Sequence, residues 1–282
     1  MRPTIDPDHP LFGLGYAEPI ARRAFVHLHD GAASDESANV AEETPVALVY
    51  TGWPHVVMMC TPADVEDFAI GFTLTEEIVP SRADIASVQV VRSSQGIEAQ
   101  LAIPEAAAEA LRGRGRSLVG RTGCGLCGVT TIDDALRPGH TVAASARFAV
   151  EALYRAGAEL PAWQRYNDGT GAVHAAGWAT RAGEIVLVRE DVGRHNALDK
   201  LVGAMVRADR DPAEGFAIVT SRASYELVQK CAVAGIALLA AISRPTGLAV
   251  RMADAAGVTL AALLRGNSVN IYSHPDRITE PI

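Results

Sequence analysis

The densest chemistry in the 282-residue chain lies in Gly120-Arg121-Thr122-Gly123-Cys124-Gly125-Leu126-Cys127-Gly128, which holds two of its four cysteines. Glycine beside each thiol removes side-chain cover and admits positive φ, so the pattern predicts an exposed, mobile and reactive loop over 120–128. Arg112, Arg114, Arg116 and Arg121 supply cationic surroundings that favour the thiolate, which is both the nucleophile and the metal ligand. A single CxxC has three common uses: half of a zinc site, a redox dithiol, or a sulfur-handling nucleophile. No second CxxC completes a zinc site, and only Cys60, Cys231, His140, His174 and His195 remain as further ligands, so the fold is expected to need no metal. Cys60 closes an apolar run and Cys231 lies inside another, where a thiol acts as a small hydrophobe. A thioredoxin-like motif would open a helix after the first strand of a βαβ unit, whereas this one sits between units. Zinc deaminases pair H-x-E with P-C-x-x-C. Here His174-Ala175-Ala176 lacks the glutamate, and glycine rather than proline precedes Cys124.

The elements that could present such chemistry alternate in the second half of the chain. Strands are expected at 184–189, 215–220, 237–242 and 258–264, with helices at 192–207, 223–235 and 245–256 between them. Such alternation implies a parallel or mixed sheet with helices on its faces, and ligands bind such sheets beyond the strands' carboxyl ends. Those ends are polar: Arg189-Glu190-Asp191-Val192-Gly193-Arg194-His195-Asn196, Thr220-Ser221-Arg222-Ala223-Ser224, Ser243-Arg244-Pro245-Thr246 and Arg265-Gly266-Asn267-Ser268. Each carries an arginine, and helix N-termini aim amide donors at the same edge, which favours phosphate or another anion. Asp191 is expected to cap the helix that follows. Capping does not account for Arg194, His195 and Asn196, which stand as candidate ligand or partner contacts.

Upstream, residues 1–44 are expected to form an irregular arm. The runs 45–50 and 55–60 read as a hairpin, and Thr61-Pro62-Ala63-Asp64 as the capped start of a helix towards Val79. Strands at 86–92 and 96–103 and a helix at 104–112 complete an α+β unit over 45–119, and 129–282 forms the α/β core. A net charge of −8, with Lys200 and Lys230 the only lysines, argues against nucleic acid and membrane surfaces as partners. The start of the chain carries no secretory pattern and the run 231–243 is too short to cross a bilayer, so a cytoplasmic protein is expected. In that compartment a CxxC is more often catalytic or metal-binding than a structural disulfide.

With these motifs in order, the chain resembles the FdhD/NarQ family of formate dehydrogenase accessory sulfurtransferases. The resemblance runs through Glu43-Thr44-Pro45-Val46, Gly123–Gly128, Arg189 to Lys200, Ser221-Arg222-Ala223-Ser224-Tyr225-Glu226 and Tyr272-Ser273-His274-Pro275. It implies an α/β fold with a cytidine-deaminase-like core, its mixed sheet flanked by helices, and a smaller α+β N-terminal subdomain. It implies a sulfur carrier that accepts persulfide sulfur from a cysteine desulfurase and passes it to the bis(molybdopterin guanine dinucleotide) cofactor of molybdenum in formate dehydrogenase. By the same resemblance Cys124 bears the persulfide, Cys127 assists, Leu263-Leu264-Arg265-Gly266-Asn267-Ser268 contacts the cofactor, and the chain forms a homodimer. A guanine nucleotide such as GDP is expected to mimic the cofactor at the sheet edge, with Ser221, Arg222 and His195 beside that segment. Thr170-Gly171-Ala172 and His174-Ala175-Ala176-Gly177 depart from the family's usual residues, which bears on the local pocket shape. A thiol-disulfide oxidoreductase and a zinc-binding module are the alternative readings of the CxxC.

Overall fold

A computed structural model of the chain describes residues 9, 11–114, 140–143 and 146–279. The expected CxxC loop, with Cys124 and Cys127, lies outside the described residues.

The stretch expected to be an irregular arm contains a hairpin instead: Ile20–His29 (β1) pairs antiparallel with Ala32–Ala41 (β2) over its whole length. The physical reason is its turn. Asp30 and Gly31 both adopt positive φ, which suits a tight two-residue connection. The ribbon buries little, and Val26 and Leu28 are exposed. A core-seeking periodicity was therefore never available to announce it.

The next unit follows the expected pattern. Thr44–Tyr50 (β3), Trp53–Cys60 (β4), Ser87–Ser93 (β5) and Gly96–Ala102 (β6) form a sheet in the order β4-β3-β6-β5, with Val65–Thr75 (α1) and Glu105–Arg114 (α2) beside it. Its core joins Val46, Leu48 and Tyr50 to Phe68, Ile70, Ile97 and Leu101. The helix start differs from expectation. Residue Asp64, at φ 52°, precedes α1 without a side-chain cap, and the helix ends at Thr75 rather than near Val79. Thr61 is occupied elsewhere: its amide donates to Asp191 Oδ2 at 2.9 Å and its hydroxyl accepts from the Val192 amide at 3.1 Å.

The larger unit begins with Phe148–Ala149 (β7), Val150–Glu159 (α3) and Arg165–Thr170 (α4). It continues through His174–Thr180 (β8), Ile185–Asp191 (β9), Arg194–Arg207 (α5), Gly215–Val219 (β10) and Tyr225–Val233 (α6). Leu238–Ala241 (β11), Gly247–Ala255 (α7), Thr259–Arg265 (β12), Ser268–Ser273 (β13) and Ile278–Thr279 (β14) complete it. Six strands lie in the order β13-β12-β11-β10-β8-β9. Strands β10, β11 and β12 run parallel, whereas β8 and β13 are antiparallel to their neighbours, so the sheet is mixed and the fold α/β as expected. Strand β8 escaped the sequence reading because Ala175, Ala176 and Gly177 carry little side chain to create a period. Apolar layers cover both faces, one around Leu198, Leu201, Leu227 and Val228, the other around Phe148, Leu153, Phe216 and Leu238.

Helices α1 and α5 lock the two units together, and glycine sets how closely. A Cβ on Gly71 would stand 1.7 Å from the Asp199 carbonyl, and one on Gly203 1.9 Å from that of Asp67. Backbone-to-backbone approach of this kind leaves no room for any other residue. Ionic groups complete the seam. Lys230 Nζ meets Asp199 Oδ1 at 2.9 Å and Glu76 Oε1 at 2.8 Å, while Asp67 takes Arg189 and Arg207, both at 2.7 Å. Burial opposes a charged Lys230, but Asp199 and Glu76 outweigh it and raise its pKa.

Candidate functional site

The strand register brings three loops to one edge of the six-stranded sheet. His174 opens β8 opposite Asp191, the last residue of β9. The next residue, Ala175, donates its amide to the Thr220 hydroxyl at 2.9 Å, and the Thr220 amide donates to the Ala175 carbonyl at 3.0 Å. His174 thus sits between the turn that starts α5 and the turn that starts α6. Ser221 is buried and Arg222 is exposed just beyond Thr220.

The motif from Asp191 to Lys200 divides between two jobs. Asp191 does not cap α5. Gly193 occupies that position, where a Cβ would crowd Asn196 Nδ2 at 2.8 Å. Asp191 instead forms an ion pair with Lys200 at 2.6 Å, both side chains fully buried, and accepts the amides of Thr61 and Gly193. Asn196 is also structural: its Nδ2 donates to the Met59 carbonyl at 2.9 Å and to Asp191 Oδ1 at 3.0 Å. Arg194 and His195 face the edge. His195 Nε2 lies 3.2 Å from Glu226 Oε2 and 3.5 Å from the Ser224 hydroxyl. Burial works against ionisation of Glu226, yet hydrogen bonds from His195 and Ser224 prevail and bring its pKa down to about 2. Burial, then the charges of Arg194, His195 and Arg222, lower the pKa of His174.

The expected cofactor segment forms the turn between β12 and β13. Leu263, at φ 57°, marks a register shift between Ala262 and Arg265, and Gly266 turns the chain at φ 53°. This bulge lets Leu264 point into the core while Arg265, Gly266, Asn267 and Ser268 stay exposed. A cavity of about 250 Å³ opens there, lined by Leu264, Arg265 and Gly266 together with Thr220, Ile242 and Gln164. The structure therefore brings part of the segment to the Thr220 turn that precedes Ser221 and Arg222. His195 does not line this cavity. Gln164 and Gly157 were missed by sequence reasoning, since neither belongs to a motif and only the fold of α3 against β12 brings them to the Thr220 turn.

The two described cysteines are inert by position. Cys60 and Cys231 are fully buried. Burial raises both thiol pKa values, that of Cys231 up to about 12. Among the described residues no group of three or more His, Cys, Asp or Glu side chains is arranged to hold a metal ion. No described helix is long and apolar enough to cross a membrane.

A family model described as FdhD/NarQ matches residues 41–279, which takes in both units, the seam and the sheet edge. The chain belongs to the FdhD/NarQ family. It is 50% identical over 246 residues to a sulfur carrier protein FdhD of Bordetella petrii, covering 87% of this chain and 88% of that one. A protein of the same name from Cupriavidus necator is 45% identical over 281 residues, 99% of this chain and 97% of the relative. A third, from Xanthomonas campestris, is 52% identical over 239 residues, 85% of each chain. The fold is shared with a solved chain from Desulfotalea psychrophila assigned as a formate dehydrogenase accessory protein. That match has a TM-score of 0.73 at 22% identity and covers 92% of this chain and 99% of the other.

Proposed function

We propose that this protein carries sulfur for the maturation of formate dehydrogenase, taking it as a persulfide on Cys124. The observation that carries the reading is the near-full-length identity to proteins named sulfur carriers, together with the burial of the other thiols. With Cys60 and Cys231 walled in and held as thiols, Cys124 and Cys127 are the chain's remaining sulfur nucleophiles. The Cys124 thiolate attacks the outer sulfur of a cysteine desulfurase persulfide, and the desulfurase thiolate leaves, so sulfur moves with no net oxidation. A second attack, by the acceptor on the outer sulfur of the Cys124 persulfide, breaks the S–S bond and delivers that sulfur, with the Cys124 thiolate as leaving group. The acceptor in this reading is the bis(molybdopterin guanine dinucleotide) cofactor of molybdenum, whose guanine end enters the cavity at Leu264, Arg265 and Gly266. Cys127 assists release rather than loading. A homodimer and a core of the cytidine-deaminase kind belong to the same reading.

Intact-mass measurement after incubation with a cysteine desulfurase and cysteine tests it. The wild type and Cys127→Ala should gain the mass of one sulfur atom, and Cys124→Ala should not. Loading on Cys124→Ala but not on Cys127→Ala would reverse the two roles, and no loading on the wild type would end the proposal.

A further inference from the structure

Strand β1, and all of β2 but its last residue, precede the stretch that the family match covers, and their ribbon gathers metal-ligating side chains at its tip. His27 and His29 stand two residues apart on β1, so both rise from one ribbon face. Their rings are nearly parallel, 17° apart, with centroids 6.2 Å from each other. The turn adds a carboxylate: Asp30 Oδ2 lies 3.4 Å from His29 Nε2. That gap is longer than an ordinary N–H···O bond of about 2.7–3.2 Å, and it matches the ligand-to-ligand edge of a tetrahedron with bonds of about 2.1 Å to a central metal. The residues opposite the two histidines on β2 are Ser34 and Ala32, too small to cover the rings. Other charges on this face are engaged: Arg23 meets Glu42 at 3.4 Å, and Glu36 accepts from the Ser34 hydroxyl at 3.0 Å.

We propose that His27, His29 and Asp30 form a binding site for a late first-row divalent metal, Cu²⁺ above all. Imidazole nitrogen suits Cu²⁺, Ni²⁺ and Zn²⁺, and Cu²⁺ leads that series in affinity for a given set of nitrogen and oxygen ligands. In the free ribbon the three groups are not yet gathered round one point. One movement gathers them. The two rings stand about 1 Å farther apart than imidazoles that share a metal, and rotation of His27 about its side-chain torsions, the second of which is broad, brings its nitrogen in. The side chains of His29 and Asp30 are 79% and 91% exposed, so water fills the remaining positions. Metal bound this way ties the turn to β1. A two-stranded ribbon that buries little is marginal by itself, and a ligand that binds only the folded form stabilises it. The site thus makes the order of the ribbon depend on metal.

Copper titration followed by electron paramagnetic resonance tests the site, on the full chain with Cys124→Ala and Cys127→Ala so that those thiols neither bind nor reduce the metal. One equivalent of Cu²⁺ should bind through two nitrogen ligands. In this background His27→Gln and His29→Gln should each lose one nitrogen and at least tenfold in affinity. Asp30→Asn should lose affinity as well, and asparagine tolerates the positive φ of that position, so the turn is kept. All three side chains are exposed, and equal melting temperatures without metal show that the variants keep the fold. Trypsin should cut after Arg22 and Arg23 more slowly with copper than without, a protection that His27→Gln removes. Unchanged affinity in any of the three variants, or a single nitrogen in the parent spectrum, overturns the site. Copper that binds as stated without slowing trypsin overturns its hold on the ribbon.

Discussion

Replacing Lys200 by Met should cost about 3 kcal/mol of folding stability. The Lys200 ammonium lies 2.6 Å from Asp191 Oδ2 and donates to the carbonyls of Thr61 at 3.0 Å and Glu190 at 3.2 Å. Methionine keeps most of the length but leaves the Asp191 carboxylate in the interior without its counter-charge. Removing one member of a buried pair generally costs about 3–5 kcal/mol. The lower end applies because the amides of Thr61 and Gly193 and the Asn196 side chain still bond the carboxylate. Urea unfolding followed by tryptophan fluorescence and far-ultraviolet circular dichroism measures the loss, and the two probes together test whether both units still unfold as one. A cycle with Asp191→Asn should return a coupling energy above roughly 1 kcal/mol, since that change removes the stranded charge while its one carbonyl oxygen keeps the bonds from Gly193 and Asn196 and gives up that from the Thr61 amide. A loss below about 1 kcal/mol for Lys200→Met, or strict additivity in the cycle, would refute the reasoning.

Three further outcomes follow from the same contacts. Alkylation of the native protein at neutral pH, read by peptide mass, should leave Cys60 and Cys231 unmodified, because burial raises both thiols; labelling of either at the rate of an exposed thiol contradicts this. Gly203→Leu should destabilise by at least about 3 kcal/mol, since its Cβ would fall 1.9 Å from the Asp67 carbonyl, and a near-native melting temperature would mean that α1 and α5 can separate cheaply. Glu226 has its pKa lowered from 4.5 to about 2, so its stabilisation is complete above the unfolded value and disappears as pH falls from 4.5 towards 2. Its worth, discounted for partial exposure, is roughly 1–2 kcal/mol, and Glu226→Gln should flatten that part of the stability profile; an unchanged slope rejects the assignment.

The sequence by itself determined the alternation of strands and helices after residue 184, the N-terminal α+β unit and the family, because these depend on local period, turn chemistry and motif order. It also marked the sheet edge as polar and arginine-rich, since strands end where apolar runs end. Tertiary structure decided what those polar residues do. Asp191 and Asn196 look like a helix start and a ligand group in sequence, and both prove to be interior bonds, because their partners Lys200, Thr61 and Met59 come from other elements. The ribbon over 20–41 was illegible because nothing in it alternates toward a core. His174 became a neighbour of Arg194 and Arg222 only through antiparallel pairing of β8 with both β9 and β10, a choice no local pattern encodes. The same holds for the cavity at Thr220 and Gly266, whose walls come from four separate stretches of chain.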